Sequence, residues 1–429
     1  MKSNSRGLAF AVLSVSLLAS TLQAQEIRTV TLDEAIDLAL LVSPNIVTAR
    51  GDVRVAEAAR REYIGDWLPS VSSSSSFSTS SSSRFNEATQ TTVSAASRSY
   101  SAGLSASYTL FDGFRRNATG RTTNANIESA EATLVNQRFQ IVLQTKQAFF
   151  QAVAADDLVR VAQTQIERAE NQLRISREQL AAGSAIRSDT LRSFVELGNA
   201  RLQLLNARTQ RETAAANLAR LIGFDDGVRI DPSGAMGDPA AVDTASIREE
   251  IFAVSPTVLQ IDAQARAADA QVGVSRGQYF PTVSASYSQN WAGSAIGSLN
   301  NTWSARLSLS WPIFNGFTRE AAVVRSLASQ DAARSRVDDT RRQITAQLTQ
   351  QFAAIEAARV RSEIAGASLV AAQEDLRVQQ ERYRLGVSTI LEVLASQVSL
   401  DQAEVDLVQS RLDFFLAKAE IEALIGREL

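Results

Sequence analysis

The chain has 429 residues, a formal net charge of −3, no cysteine and no histidine. These counts exclude disulfide and thiolate chemistry, remove the commonest general base and metal ligand, and argue against nucleic acid as a partner. No phosphate loop or nucleophile elbow occurs. The carboxylate pairs Asp156-Asp157, Asp225-Asp226 and Asp338-Asp339 read as solvated charge. No enzyme, cofactor or resident metal is therefore expected.

In chain order, residues 1–24 read as a secretory signal peptide. Lys2 and Arg6 supply the positive start, Leu8 to Leu18 the apolar run, and Leu22-Gln23-Ala24 the cleavage site. That run is too short to span a membrane. Gln25 follows the expected cut, so no cysteine is available there for a lipid anchor. A helix of about two dozen residues runs from Pro44 to Trp67 and is stopped by Pro69.

Extended structure follows. From Ser99 to Phe111 the pattern alternates: Tyr100, Ala102, Leu104, Ala106, Tyr108 and Leu110 on one face, Ser, Thr and Gly on the other. Period two with one apolar face predicts strands, and runs of about ten residues match a membrane-crossing β-strand. The serine run Ser72 to Ser83 is favoured as a strand over a linker, with a loop somewhere in Ser82 to Ser97.

Gly113 to Gly183 contains no proline and predicts one helix roughly 105 Å long at about 1.5 Å per residue. Ile127, Leu134, Ile141, Ala148, Ala155, Ala162 and Ala169 repeat every seven positions. A second seam runs through Ala152, Val159, Ile166, Leu173 and Leu180. Two heptad seams imply supercoiling against helices on two sides. A short turn at Ala182-Gly183-Ser184 leads to a return helix about half as long.

The whole plan then recurs. Ser43-Pro44 returns as Ser255-Pro256, 212 positions on, while Phe111-Asp112-Gly113-Phe114 returns as Phe314-Asn315-Gly316-Phe317 at an offset of 203. The predicted organisation is a first repeat over 25–223, with a helix, a strand hairpin about 69–112, a long helix 113–182 and a return helix 188–222. A connector covers 224–245. The second repeat, 246–429, has a helix, a hairpin about 281–314, a long helix 316–385 and a return helix 389–425. Each short helix and its return helix would stack end to end beside the long one.

Four strands cannot close a barrel, and an open edge is not tolerated in lipid. The chain must therefore assemble, sharing a barrel whose strand number is a multiple of four. The inward wall of Ser, Thr and Asn would be wet. Gly113 and Gly316 permit the strand-to-helix corners. Trp291, Trp303 and Trp311 lie near strand ends, where interfacial aromatics belong.

At this point the chain resembles the TolC family of outer-membrane efflux channels. The resemblance rests on the duplicated strand–strand–long-helix plan, the Leu-Phe-Asp-Gly-Phe and Pro-Ile-Phe-Asn-Gly corners, and Arg382-Tyr383-Arg384-Leu385-Gly386-Val387-Ser388-Thr389. It implies a mainly α fold: a homotrimer with a shared 12-stranded β-barrel in the outer membrane and a long periplasmic α-barrel. It also implies a passive exit duct for small molecules, docked at its tip onto a periplasmic adaptor and an inner-membrane pump. Ala182, Gly183, Ser184, Leu385, Gly386 and Val387 would form the adaptor contact. In the family a Tyr and an Arg bond a Thr-Asp pair to hold the tip shut, and an acidic ring lies just beyond. Tyr383 matches the Tyr, Ser188-Asp189 the Thr-Asp and Glu392 the ring, but Ser388 stands where the family has Arg, with Arg187 and Arg384 as nearby substitutes. Type I protein secretion is the alternative role. A non-conducting coiled-coil anchor and an outer-membrane hydrolase are the remaining readings.

Overall fold

The computed structural model describes residues 29–88, 90–225, 227–232, 236–237, 239 and 244–429. The expected signal peptide and Asp226 lie outside the described residues.

Strand β1 (Thr29–Val30) leads into α1 (Leu32–Val42) and α2 (Pro44–Gly65). Thr31 begins α1 by accepting from the Glu34 amide, and Pro44 begins α2, where its missing N–H costs nothing. After β2 (Ser70–Asn86) and β3 (Thr91–Phe111) come the 67-residue α3 (Arg115–Ala181) and the 36-residue α4 (Arg187–Ile222). A short β4 (Arg229–Ile230) pairs in parallel with β1. The plan then repeats: α5 (Thr244–Val254), α6 (Pro256–Arg276), β5 (Thr282–Gly293), β6 (Asn300–Ser310), α7 (Thr318–Arg384) and α8 (Ile390–Ile425). The long helices again have 67 residues and the return helix 36.

Helices α2 and α4 both pack along α3, α2 toward the sheet and α4 toward the far end. Helix α6 packs between α3 and α7 near the sheet, and α8 takes that place further down. Much of the heptad seam is buried: Ile141, Ala155, Ala162 and Ala169 on one line, Ala152, Val159 and Leu173 on the other. Alanine at these positions lets the helix axes approach closely. Where the short and return helices meet, two equivalent cores form. One gathers Ala35, Ile46, Phe149, Val153, Leu218 and Ile222; the other gathers Ile247, Val258, Ile344, Phe352, Ile421 and Ile425. The connector is not mere linker, because Val228 is buried and Phe224, Ile230 and Met236 pack on the first core. Its sequence hid this, since Gly, Asp and Pro dominate and the apolar residues have no period.

The main sheet is antiparallel with order β2-β3-β5-β6, which leaves β2 and β6 as edges. One expectation needs correction. The first hairpin's strands have 17 and 21 residues, far more than ten, and the turn between them, after Asn86 and before Thr91, lies within the stretch expected for it. Hydroxyl pairs between the strands explain the extension: Ser76–Ser101 at 2.7 Å, Ser80–Ser97 at 2.9 Å and Ser83–Ser94 at 2.8 Å. Cross-strand hydroxyl bonds stabilise a ladder that has almost no apolar residues to hold it. The last β3–β5 pair is Tyr100↔Gly293, so β2 and β3 continue beyond it as a two-stranded ribbon. Among the described residues no helix is long and apolar enough to cross a membrane.

Candidate functional site: corners, sheet faces and helix tip

At the first corner the chain must leave a strand and enter a helix within four residues. Gly113 has φ +73° and Phe114 φ +62°. A Cβ on Gly113 would meet Gly277 O and Phe280 Cβ, each at 2.6 Å, so glycine is required for space as well as for conformation. Asp112 accepts from the Arg116 amide at 2.8 Å, and the two side chains form a buried ion pair at 3.5 Å. The Arg116 guanidinium lies over the Trp67 ring at 4.5 Å and donates to Thr109 O (2.7 Å), Leu110 O (3.3 Å) and Asp66 O (3.1 Å). It thereby gives partners to two carbonyls at the end of β3 and one at the end of α2.

The second corner repeats this device. Gly316 has φ +65°, Phe317 φ +61°, and Arg319 lies over Tyr279 at 4.7 Å while donating to Pro312 O (2.7 Å) and Ile313 O (3.2 Å). Here, however, a Cβ on Gly316 would meet nothing, and Ile313 and Phe314 are 81 % and 72 % exposed. The expected glycines are present at both corners. The arginines were missed, although Arg116 and Arg319 stand 203 positions apart like the rest of the corner, so the repeat offset already marked them.

Register assigns the two faces of the sheet. Val71, Phe77, Leu104, Tyr108, Tyr287, Trp291, Trp303, Leu307 and Leu309 share one face. Phe77 packs against Tyr100 with tilted rings, centroids 4.9 Å apart, and Tyr287 stacks on Trp303 at 6.5 Å. Trp291 and Trp303 sit at the hairpin end. Trp311, one residue beyond β6, sits at the corner end and donates to Tyr279 O at 3.2 Å. The eight steps from Trp303 to Trp311 span about 26 Å along the strand, roughly 20 Å of height at a tilt of about 40°, on the order of a bilayer's apolar band. The other face is a hydroxyl ladder: Ser70–Ser107 and Ser72–Ser105 at 2.7 Å, Ser284–Ser308 at 2.8 Å and Ser288–Ser304 at 2.9 Å.

At the opposite end of the molecule, Gly183 and Gly386 both have φ +76° and would meet nothing with a Cβ. Each ends its long helix in a left-handed turn. Leu385 and Val387 are exposed, as are Ala182 and Ser184. Gln179 of α3 donates to Tyr383 O at 3.1 Å, joining the two turns. The Tyr383 hydroxyl is buried near Ser176 and in the field of Asp189, yet it forms no hydrogen bond of good geometry. Burial raises its pKa above the usual phenol value. Ser188 and Asp189 open α4 beside it. Ser388, in the family's Arg position, donates instead to Glu392 at 2.8 Å. Arg384 pairs within its own helix, with Glu381 at 3.0 Å.

Above the tip, α3 and α8 meet through polar groups. Arg168 donates to Glu404 at 2.6 Å and to Asp401 at 2.7 Å. Burial opposes the charge on Arg168, but these bonds outweigh it and raise its pKa. Asp401 is raised as well, by burial first, with Arg168 only partly offsetting it. Gln172 and Gln397, both buried, leave an Oε1 unpaired. By contrast, α7 and α8 pack through Leu376, Tyr383, Ile390, Val393 and Leu400 with Ile175 of α3. The α7–α8 hairpin thus has an apolar core, while the lower α3–α8 seam carries the Arg168 ion pairs.

A sheet with an apolar face, a hydroxyl face and two open edges, carried on paired long helices, defines an outer-membrane channel subunit. Residues 35–224 and 248–427 match the family described as Outer membrane efflux protein, and the chain belongs to that family. It is 26 % identical to the pyoverdine export outer membrane protein OpmQ of Pseudomonas aeruginosa, over 92 % of this chain and 83 % of OpmQ. It is 27 % identical to the outer membrane efflux protein BepC of Brucella suis biovar 1, over 76 % of this chain and 72 % of BepC. Crystal structures of CusC, 19 % identical, share the fold with a TM-score of 0.82 over 92 % of each chain.

Proposed function

We propose that three copies of this chain close into one passive duct through the outer membrane and periplasm, with twelve strands in the barrel and twelve helices at each level below it. The observation that carries this reading is the boundary between the two repeats. Where the second repeat follows the first, β5 pairs with β3, and Gly277 and Phe280 fill the first corner. Transposed by the repeat offsets, the same contact at the second corner calls for Gly65 and Leu68 of another copy. Those residues are free in this chain: a Cβ on Gly65 meets nothing, and Leu68 is 63 % exposed. The unpaired edges β2 and β6 match in the same way. On the helices, exposed Leu191, Phe194, Leu202 and Leu205 of α4 face the outside of the chain on one flank, and Val360, Ile364 and Val370 of α7 on the other. Apolar residues recurring on two free helix flanks support burial against further helices.

On this reading the apolar sheet face with Trp291, Trp303 and Trp311 meets lipid, and the hydroxyl ladder lines the lumen. Hydroxyls already bonded to one another offer cargo few free partners, which suits a conduit that does not select. Small molecules would arrive from an inner-membrane pump through a periplasmic adaptor seated on Ala182, Gly183, Ser184, Leu385, Gly386 and Val387. Tyr383, Ser188 and Asp189 would belong to the gate at that tip, and copies of Glu392 around the narrow axis would attract cations.

The decisive experiment combines the mass of the detergent-solubilised protein with planar-bilayer conductance on the same sample. A trimer that conducts is expected; a non-conducting monomer or dimer would overturn the closure argument. Two variants test the tip. Glu392→Ala should weaken block by divalent cations, and Gly386→Glu should abolish cross-linking to the adaptor. Unchanged block or intact cross-linking would remove those residues from their assigned roles.

A further inference from the structure

Between the corners and the last β3–β5 pair, the four strands cover residues 70–77, 100–111, 282–293 and 300–310. They contain one charged residue, Arg306. It lies on the hydroxyl face, because Ser304 and Ser308, two residues to either side, bond to Ser288 and Ser284 across that face. At its level the row reads Ser70, Ser107, Ser286, Arg306. No hydrogen bond or ion pair within the chain engages it among the described residues, and it is exposed.

A neighbouring copy does not neutralise it either. Transposing the β3–β5 register by the two repeat offsets places the next copy's serine run against β6, with Ser78 of that copy opposite Arg306. A hydroxyl can accept one bond from a guanidinium but leaves its charge uncompensated. An isolated cation on an otherwise uncharged wall is therefore free to act on whatever passes.

We propose that Arg306 forms a threefold cationic ring in the barrel lumen that holds small multivalent anions, such as polyphosphates or polycarboxylates, as they pass. This rests on the trimeric duct proposed above. Strands about 4.8 Å apart and tilted by about 40° put the backbone of a twelve-stranded barrel roughly 12 Å from its axis. Three guanidiniums reaching inward from that radius lie within about one Debye length of the axis at 0.1 M salt, ~10 Å, but not at 1 M, ~3 Å. A guanidinium also binds phosphate and carboxylate in a bidentate fork, which gives it a preference over simple halides. The duct then carries opposite charges at its two ends: Glu392 at the tip and Arg306 in the barrel.

The test is block of single-channel current by inorganic tripolyphosphate added on the hairpin side. At 0.1 M KCl the half-blocking concentration should rise at least tenfold in Arg306→Gln, and the difference should vanish at 1 M KCl. Arg306→Lys should retain most of the block. Equal half-blocking concentrations in the parent chain and Arg306→Gln at 0.1 M, or no block of the parent chain, would overturn the proposal. Because the chain has no cysteine, Arg306→Cys offers a route that survives poor assembly of the other variants. A trimethylammonium thiol reagent on the assembled Arg306→Cys channel should restore block, and a sulfonate reagent should not; equal block with both reagents would count against the ring. Ser288→Cys separates the two levels of the argument. If a thiol reagent lowers conductance through Ser288→Cys while Arg306 variants block normally, the lumen stands and the ring falls. If labelling at Leu307→Cys lowers conductance and labelling at Ser288→Cys does not, the assignment of the faces fails and the ring falls with it.

Discussion

The two strand-to-helix corners are built from nearly the same residues, yet one is finished within the chain and the other is not. At the first, the second repeat supplies Gly277 and Phe280 against Gly113, and Asp112 forms an ion pair with Arg116. At the second, Gly316 faces open space, Asn315 leaves a buried Oδ1 without a partner, and Phe314 and Phe317 are 72 % and 69 % exposed. The difference teaches where the chain's own boundary lies. A contact that the duplicated sequence makes internally once is left unmade at its end, and that unmade surface is the best description available of what the chain binds there.

The largest effect expected is at the arginines. Arg116→Ala strands three carbonyls and leaves Asp112 buried without its ion pair, a loss of about 3–5 kcal/mol. Arg319→Ala strands two carbonyls, and its neighbour Glu320 is 41 % exposed and can turn to water, so the loss should be about 2 kcal/mol. Heat-resistance of the solubilised assembly measures both. Equal losses would mean that the second corner is as closed as the first.

Next come the glycines. Gly113→Ala combines a left-handed backbone, ~1–2 kcal/mol, with overpacking of ~1–3 kcal/mol against Gly277 and Phe280. Within one chain Gly316→Ala meets only the first of these costs. If another copy's Gly65 and Leu68 occupy that space, however, Gly316→Ala should fold as a monomer and fail to assemble. Native assembly of Gly316→Ala, read by size-exclusion mass, would contradict the proposed closure.

A smaller effect compares the two seams of the helical region. Burial raises the Asp401 pKa, so its favourable contribution is present below its unfolded value, ~3.9, and is lost as pH rises through the folded value. Asp401→Asn should therefore flatten the fall in stability above pH 4 and leave stability at pH 7 unchanged or slightly higher, since Glu404 still holds Arg168. Thermal unfolding of parent and variant across pH 3.5 to 7 gives the difference directly. A parallel pair of profiles would show that the polar seam is fully compensated.

Much of the architecture was legible because it repeats. Seven-residue spacing located α3 and α7, and the change of offset from 212 to 203 located the longer hairpin. What escaped had no period to read. Helix α1 has only 11 residues and a start marked by Thr31 and Glu34, and although α5 repeats it 212 positions on, it was too short to stand out; the β1–β4 bridge joins segments 200 positions apart. The outer end of the ribbon, 84–86 against 91–98, escaped because it shows no clean alternation; hydroxyl pairing, visible only once two strands are aligned, holds the ribbon. At the tip, the resemblance suggested a contact between Tyr383 and Asp189 but could not show that Ser388 would turn to Glu392.

The smallest effect is the most informative about the corners. Asp112 gives the first corner an acceptor for the Arg116 amide and a charge beside a helix N-terminus, where negative charge is favoured. Asn315 supplies neither. Asn315→Asp should supply both, a gain of roughly 0.5–1.5 kcal/mol for the isolated chain. If the second corner stays open, that gain should persist in the assembled protein. If another copy completes it, the new carboxylate is further desolvated on assembly, and that cost should cancel the gain. Unfolding of Asn315→Asp in detergents that keep or split the assembly separates the cases. A gain confined to the split form makes the second corner an interface; an equal gain in both forms makes it a finished corner with a weaker cap.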